Sequence, residues 1–432
     1  MKVTFIIGTR PEIIKTFPVI KAAMEKENID VHIIHSGQHY DFELSKVFFS
    51  ELPIPEPHIY LKVGSGSHGE QTAEIITRVE RALKKTEPDL VFVQGDTNTA
   101  MGGAIACSKC SIPLGHIEAG CRSFDWNMPE EINRIIIDSV ATLCFAPSYL
   151  AVENLLFEGR FSDSIFMCGN TAVDACEFIL QKERKSLDFK GMELNFDEKT
   201  RFTVLTLHRF ENVDNKQTLS SIMEGIDENP YETVFPAHPR TLKRLKEFSL
   251  FDRLKKNPRI HFIKPLSYSP FIQLMQKAEV ILTDSGGVQV EASILNVPCF
   301  TLRDTTEWYE TVSIGANRLI GTSSNVISEN LNVIFNDEEK RVRMAEAGNP
   351  FEGNAGLRII ESVIKNWKER NLVRVSPDMK IFGYPRVSLL TRDQLQKIEY
   401  LNSLRFTKDG AVPDQKESAE RFIVRKMMKR KT

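Results

Sequence analysis

The chain has 432 residues, 41% of them apolar and 26% charged, with a formal net charge of -2. That length accommodates two domains with sizeable cores, and the near-neutral balance provides no global basic surface for nucleic acid. Apolar runs fall well short of the ~18 residues a membrane-spanning helix requires, and no export signal opens the chain, so a cytoplasmic protein without a membrane span is expected.

Strand-like and helix-like segments alternate from the first residues. Residues 2–7, 30–35, 89–94, 112–117, 142–146 and 165–168 are β-rich and apolar, with helical patterns between them. Ile75, Ile76, Val79 and Leu83 form one such stripe, at the spacings of a single helix face. A second set of strands follows at 202–207, 232–236, 260–264, 279–283 and 297–302. Near-continuous apolar strands separated by helices imply parallel sheets covered on both faces. Two such sets imply an α/β protein of two doubly wound, Rossmann-like domains facing a cleft, at residues 1–180 and 181–371, with the polar span 181–200 as the linker. Residues 372–432 form an extension of unknown role, and their last dozen carry six Lys or Arg and no acid, as a solvated tail does. Seven scattered cysteines argue for free thiols, and the lone Cys107-x-x-Cys110 reads as helix packing.

Ligands of such folds bind beyond the carboxyl ends of the strands, and the candidate motifs fall there. The first strand runs into Gly8-Thr9-Arg10-Pro11-Glu12, which has too few glycines for a dinucleotide fingerprint. Arg10, with Lys15 a turn later, suits a phosphate or leaving-group contact, although a surface ion pair accounts for Arg10 equally. Asp96, in Gln94-Gly95-Asp96-Thr97, is an acid/base candidate or an N-cap. Glu118, in His116-Ile117-Glu118-Ala119-Gly120, stands at the next strand end. Glu130 and Arg134, four apart on a helix opened by Pro129, can share one face. His208 and His238 end two successive strands of the second set. Asp284-Ser285-Gly286-Gly287 joins a strand at 279–283 to a helix from Val288. Adjacent glycines admit close backbone approach and the helix start offers unpaired N–H groups, so the turn suits a phosphate; the plainer alternative makes Asp284 or Ser285 an N-cap.

These motifs together carry a family resemblance. GTRPE at 8–12, QGDT at 94–97, HIEAG at 116–120, MPEEINR at 128–134, TLHR at 206–209, PAHPRT at 236–241 and LTDSGG at 282–287 resemble, in order and spacing, the non-hydrolysing UDP-N-acetylglucosamine 2-epimerases over residues 1–370. The resemblance implies a glycosyltransferase-B-type fold, a UDP-sugar substrate, no nicotinamide or metal cofactor, and usually a homodimer. It implies Asp96, Glu118, Glu130 and His208 as the catalytic set. It implies contacts to the UDP-sugar from Arg10, Lys15, Arg134, His238, Ser285, Gly286, Gly287 and Arg318, with Phe271 against the uracil and Glu291 accepting the ribose hydroxyls. Gln38, His39, Tyr40 and Gln71 lie in the regions where some bacterial relatives bind a second, activating UDP-sugar. Three departures stand out. Trp308-Tyr309 replaces the Arg-Pro that relatives carry, which leaves the exact sugar open. Val290 stands where an acid is common, and the extension 372–432 exceeds the usual family length.

The implied chemistry explains the inventory. No carbonyl flanks C2 of an N-acetylhexosamine, so its proton is not acidic. Inversion needs either transient oxidation, for which the fingerprint is missing, or elimination of UDP to a 2-acetamidoglucal followed by re-addition. Elimination needs an anion cradle for the leaving group and separate groups to take and give the C2 proton on opposite faces. Two other enzyme readings stay open: 2-epimerisation of another UDP-2-acetamido sugar, and a hydrolysing enzyme that releases N-acetylmannosamine and UDP.

Overall fold

The structure, a computed structural model, describes residues 1–37, 49, 51–64, 66–182, 189, 191–197 and 199–368. Gln38, His39, Tyr40 and the extension 372–432 lie outside the described residues. Strands β1 (Lys2–Ile7), β2 (Asp30–His35), β3 (Ile59–Tyr60), β4 (Leu90–Gln94), β5 (Leu114–Ile117), β6 (Leu143–Ala146) and β7 (Ile165–Met167) form a seven-stranded sheet in the order β3-β2-β1-β4-β5-β6-β7. Strands β8 (Phe202–Thr206), β9 (Glu232–Pro236), β10 (Ile260–Ile263), β11 (Val280–Thr283), β12 (Cys299–Thr301) and β13 (Asn317–Leu319) form a six-stranded sheet in the order β10-β9-β8-β11-β12-β13. Neighbouring strands are parallel throughout, as strands linked by helices must be. The central strands are buried along their whole length, which is why they read as unbroken apolar runs.

Two strands escape the sequence reading. The edge strands β3 and β13 have two and three residues, and β13 reads Asn-Arg-Leu, so neither has an apolar run of its own. The expected linker also differs from expectation. Leu194 is buried, and the rings of Phe189 and Phe196 pack on Phe202 of β8 with centroids 6.0 and 5.3 Å away. The final described helix, Ala355–Lys368, returns to the first half of the chain. Its Ile359, Ile360 and Val363 share one apolar core with Ile13 and Phe17 of helix Arg10–Met24.

Sheet order decides where a ligand can bind. Chain direction along the sheet reverses between β1 and β4 in the first sheet, and between β8 and β11 in the second. At such switch points the outgoing loops diverge and leave a crevice beyond the strand ends. The four loops concerned carry Arg10, Asp96, His208 and the Ser285–Gly287 turn. Among the described residues, no helix is long and apolar enough to cross a membrane.

Candidate active site

The helix after β11 starts two residues before Val288, where the sequence reading placed it. The helix begins at Gly286 and runs Gly286–Ile294, with Ser285 at the N-cap position but no side-chain cap bond. Asp284 caps nothing. It is fully buried and accepts from the backbone N–H groups of His208 (3.1 Å) and Arg209 (3.0 Å), with Asn212 Nδ2 at 3.3 Å. Burial pushes its carboxyl up, yet His208 and Arg209 hold it below the usual range, so it stays ionised. Asp284 thereby ties the β8 loop to the β11 loop. His208 Nδ1 lies 3.2 Å from the same carboxylate, and the ring is about half exposed towards the cleft.

The carboxylates of the first half meet across three loops. Arg134 Nη2 donates to Asp96 Oδ2 at 2.5 Å, and its Nη1 donates to Glu131 Oε2 at 2.6 Å. The pairing of Glu130 with Arg134 suggested by their spacing is therefore not formed; Asp96, from another strand end, takes that place. Nor is Asp96 an N-cap, because Thr97 caps helix Asn98–Cys110 with its hydroxyl. Glu118 accepts from Lys15 Nζ and from Gln94 Nε2, each at 2.7 Å. Burial and, secondarily, Asp96 raise the Glu118 carboxyl although Lys15 opposes them. Burial would lower the Lys15 ammonium, but Glu118 beside it raises it. Glu130 stands in the first turn of helix Pro129–Val140 with Oε2 buried and without a hydrogen-bond partner. Burial and Asp96 raise its carboxyl as well. A buried oxygen with no partner is costly, and such groups are enriched at functional sites.

Several further site residues went unrecognised. Glu307 is buried among three guanidiniums, with Arg303 Nη1 at 2.9 Å, Arg209 Nη2 at 3.7 Å and Arg134 Nη2 at 3.9 Å, and they hold it ionised. Arg209 and Arg303 also reach Met128 Sδ in the first half, at 3.8 and 3.3 Å. The only sequence signals were neighbours within the motifs: Arg209 follows His208, and Glu307 precedes Trp308. Trp308 is 1% exposed, packs edge-on to Phe351 at 5.4 Å, and has Lys15 Nζ 5.2 Å from its ring centre. Tyr309, beside it, is exposed.

The remaining expected contacts divide. Glu291 lies one turn into the glycine helix, where burial pushes its carboxyl up to about 7 against the pull of Lys15 and Arg10. Burial in turn lowers the Arg10 guanidinium, with Glu291 opposing. These three charges thus join the β1 loop to the turn. Phe271 is half-buried on helix Tyr268–Lys277, one turn from Tyr268, whose hydroxyl borders Glu291. His238 is exposed at the N-cap of helix Pro239–Glu247, its Nδ1 accepting from Arg240 N at 3.2 Å. Arg318 stands apart. Its Nη1 donates to Asn330 at 2.9 Å in a hollow of about 260 Å3 that Arg303, the partner of Glu307, also lines. Gln71 is buried and bonded to Gly64 and Asn98. All seven cysteines are free, and among the described residues no three His, Cys, Asp or Glu side chains gather as a metal site would.

Two Rossmann-like parallel sheets, one running into the Ser285–Gly287 turn and the other into the loops of Asp96 and Glu118, have the architecture of a nucleotide-sugar enzyme of the glycosyltransferase-B type. Residues 21–364 match the family model for UDP-N-acetylglucosamine 2-epimerase. The chain is 48% identical over 365 residues to the UDP-N-acetylglucosamine 2-epimerase of Methanocaldococcus jannaschii, covering 83% of this chain and 98% of that one. It is 40% identical over 334 residues to the UDP-2,3-diacetamido-2,3-dideoxy-D-glucuronate 2-epimerase of Pseudomonas aeruginosa, covering 76% and 91%. A crystal structure of the M. jannaschii enzyme in complex with UDP-GlcNAc and UDP superposes with a TM-score of 0.77 at 47% identity, covering 84% of this chain and all of that one. The Neisseria meningitidis enzyme bound to UDP-GlcNAc gives 0.78 at 34%, covering 85% and 100%. The chain belongs to the UDP-N-acetylglucosamine 2-epimerase family.

Proposed function

We propose that this chain is a non-hydrolysing UDP-N-acetylglucosamine 2-epimerase that interconverts UDP-GlcNAc and UDP-ManNAc by elimination and re-addition, acting as a homodimer. The gathering of Glu118 and Glu130 about Asp96, two from strand-end loops and one from the first turn of helix Pro129–Val140, carries the reading, with Glu118 and Glu130 both raised by burial. A raised carboxyl is a stronger base once ionised, as removal of a poorly acidic C–H requires. One carboxylate takes the C2 proton, the C–H electron pair forms the C1=C2 bond, and UDP leaves with the C1–O pair. The turn at Ser285–Gly287 and Arg10 receive the diphosphate charge, and His208, anchored by Asp284, steadies a phosphate oxygen. Return of a proton to the other face of C2 and of UDP to C1 completes an isomerisation with no net oxidant. Lys15, paired with Glu118, favours the ionised form of that carboxylate against its burial rather than serving the diphosphate alone.

The test is proton NMR of the protein with UDP-GlcNAc in D2O without added cofactor. UDP-ManNAc with deuterium at C2 is the expected product, and free N-acetylmannosamine would identify the hydrolysing reaction instead. A second reading, epimerisation of a different UDP-2-acetamido sugar, is favoured by Trp308, buried 5.2 Å from Lys15 Nζ, and by the 40% identity to a diacetamido-glucuronate epimerase. Absence of exchange with UDP-GlcNAc, and its presence with that sugar, would select it.

A further inference from the structure

Behind the carboxylates lies a second buried cluster that the elimination itself does not use. His116 on β5 and Asp138 on helix Pro129–Val140 are 0% and 1% exposed. His116 Nδ1 stands 2.6 Å from Asp138 Oδ1, and its Nε2 stands 2.9 Å from the carbonyl oxygen of Gly95. Asp138 Oδ2 accepts from the backbone N–H of Gly120 at 3.0 Å and from Arg122 Nη2 at 2.7 Å. Arg122 is held in turn by a two-bond pair with Glu158, at 2.8 and 2.6 Å. The carbonyl of Gly120 accepts from Asn154 Nδ2 at 2.8 Å.

The partners determine the protonation of the ring. A carbonyl oxygen only accepts, so Nε2 carries a proton. Asp138 Oδ2 accepts from two donors, one of them the Arg122 guanidinium, so Asp138 is a carboxylate and its Oδ1 accepts a proton-bearing Nδ1 as well. Cys144, paired with His116 across β6, is pushed up to about 12 by burial and brings no charge.

What the cluster grips is specific. Gly95 immediately precedes Asp96, and its φ of +68° turns the chain out of β4. Gly120 follows Glu118 by two residues, and Glu118 itself holds φ +73°, which a residue with a side chain adopts only where its surroundings impose it. Both glycines are thus fixed at backbone atoms, one carbonyl and one N–H, by a single pair of side chains.

We infer that His116, as an imidazolium, together with Asp138 and Arg122 forms a buried positioning unit that sets the turns bearing Asp96 and Glu118 in register with each other. None of the three touches substrate. The assignment of Asp96 and Glu118 as the proton-transferring pair rests on the proposed epimerisation; the imidazolium and its backbone bonds do not. Asp138→Asn separates charge from geometry. Its amide nitrogen can donate to Nδ1 of a neutral ring while its oxygen still accepts from Gly120 and Arg122, so every hydrogen bond survives. His116→Phe removes both bonds at similar volume.

The experiment combines nitrogen-15 NMR of the histidine rings with turnover and UDP binding. In the full-length protein at neutral pH, both ring nitrogens of His116 are expected to show protonated shifts, and Asp138→Asn converts Nδ1 to the unprotonated type. Asp138→Asn should keep kcat within about fivefold, whereas His116→Phe should lower kcat at least ~100-fold with the UDP Kd within about twofold. A wild-type ring with one unprotonated nitrogen overturns the inference. So does His116→Phe with near-normal kcat, or with UDP affinity lost in step with turnover, which marks general unfolding. If the wild-type protein epimerises no sugar, the proposed function fails while the ring spectra still decide the charge state and its bonds.

Discussion

The two glycines of the anion turn respond to the same substitution in opposite ways. A Cβ on Gly286 would stand 1.9 Å from Glu307 Oε1, 2.9 Å from Glu307 Cδ and 3.2 Å from Trp308 Nε1. Glu307 cannot yield cheaply, because Arg303, Arg209 and Arg134 surround it and Arg303 bonds it at 2.9 Å. Gly286→Ala should therefore cost ~1–3 kcal/mol, the usual range for overpacking, and lower the melting temperature. A Cβ on Gly287 meets nothing within 4 Å. Gly287→Ala should melt at or slightly above the wild-type temperature, since Ala is favoured over Gly in a helix by up to ~1 kcal/mol. In the proposed binding mode, however, that open space receives the diphosphate, and a methyl group there would obstruct it. Blocking one hydrogen bond to a charged group is worth ~1.5–3 kcal/mol, so the UDP Kd should rise about 10- to 150-fold. Calorimetric titration with UDP and thermal melts of both variants decide it. Wild-type UDP affinity in Gly287→Ala refutes the assignment of this turn to the diphosphate, and an unchanged melt for Gly286→Ala refutes the pinning of Glu307.

Three other outcomes are expected. Asp96→Asn, Glu118→Gln and Glu130→Gln should each reduce the C2 exchange rate by ~10²–10⁴-fold while UDP still binds, and a near-full rate in any of them removes that residue from the chemistry. Glu130→Gln should also be at least as stable as wild type by denaturant melting, since it removes a charge that burial disfavours. Glu291 is raised to about 7 by burial in the free protein, and in the proposed mode two ribose hydroxyls are accepted best by its ionised form. UDP affinity should therefore be flat above that value and fall up to about tenfold per unit below it, with a proton released on binding. Glu291→Gln should flatten that slope; a slope that persists in the variant belongs to another group. A chain ended at residue 371 should retain turnover, because the relatives are covered to 98% or more of their own length by 83–84% of this one. Loss of activity in the shortened chain would assign the extension a part in the enzyme.

The residues that come together were legible singly, and their partnerships were not. An apolar run such as Leu90–Val93 declares itself a buried parallel strand whatever surrounds it, because burial on both faces favours apolar residues at every position. Since ligands bind beyond the ends of such strands, the positions of Arg10, Asp96, Glu118, His208 and Ser285 followed from strand ends and turn chemistry. Edge strands such as Asn317–Leu319 did not, because only pairing with β12 makes them strands. Side-chain pairing was likewise out of reach. Spacing on one helix suggested Glu130 with Arg134, but sheet order places Asp96 closer; the same order delivers Lys15 to Glu118 across 103 residues and Asp284 to the His208 loop across 76. Local periodicity encodes which face of an element is buried. Which charges meet is decided by the order in which strands join a sheet and by the way two sheets face each other, and those are properties of the tertiary structure alone.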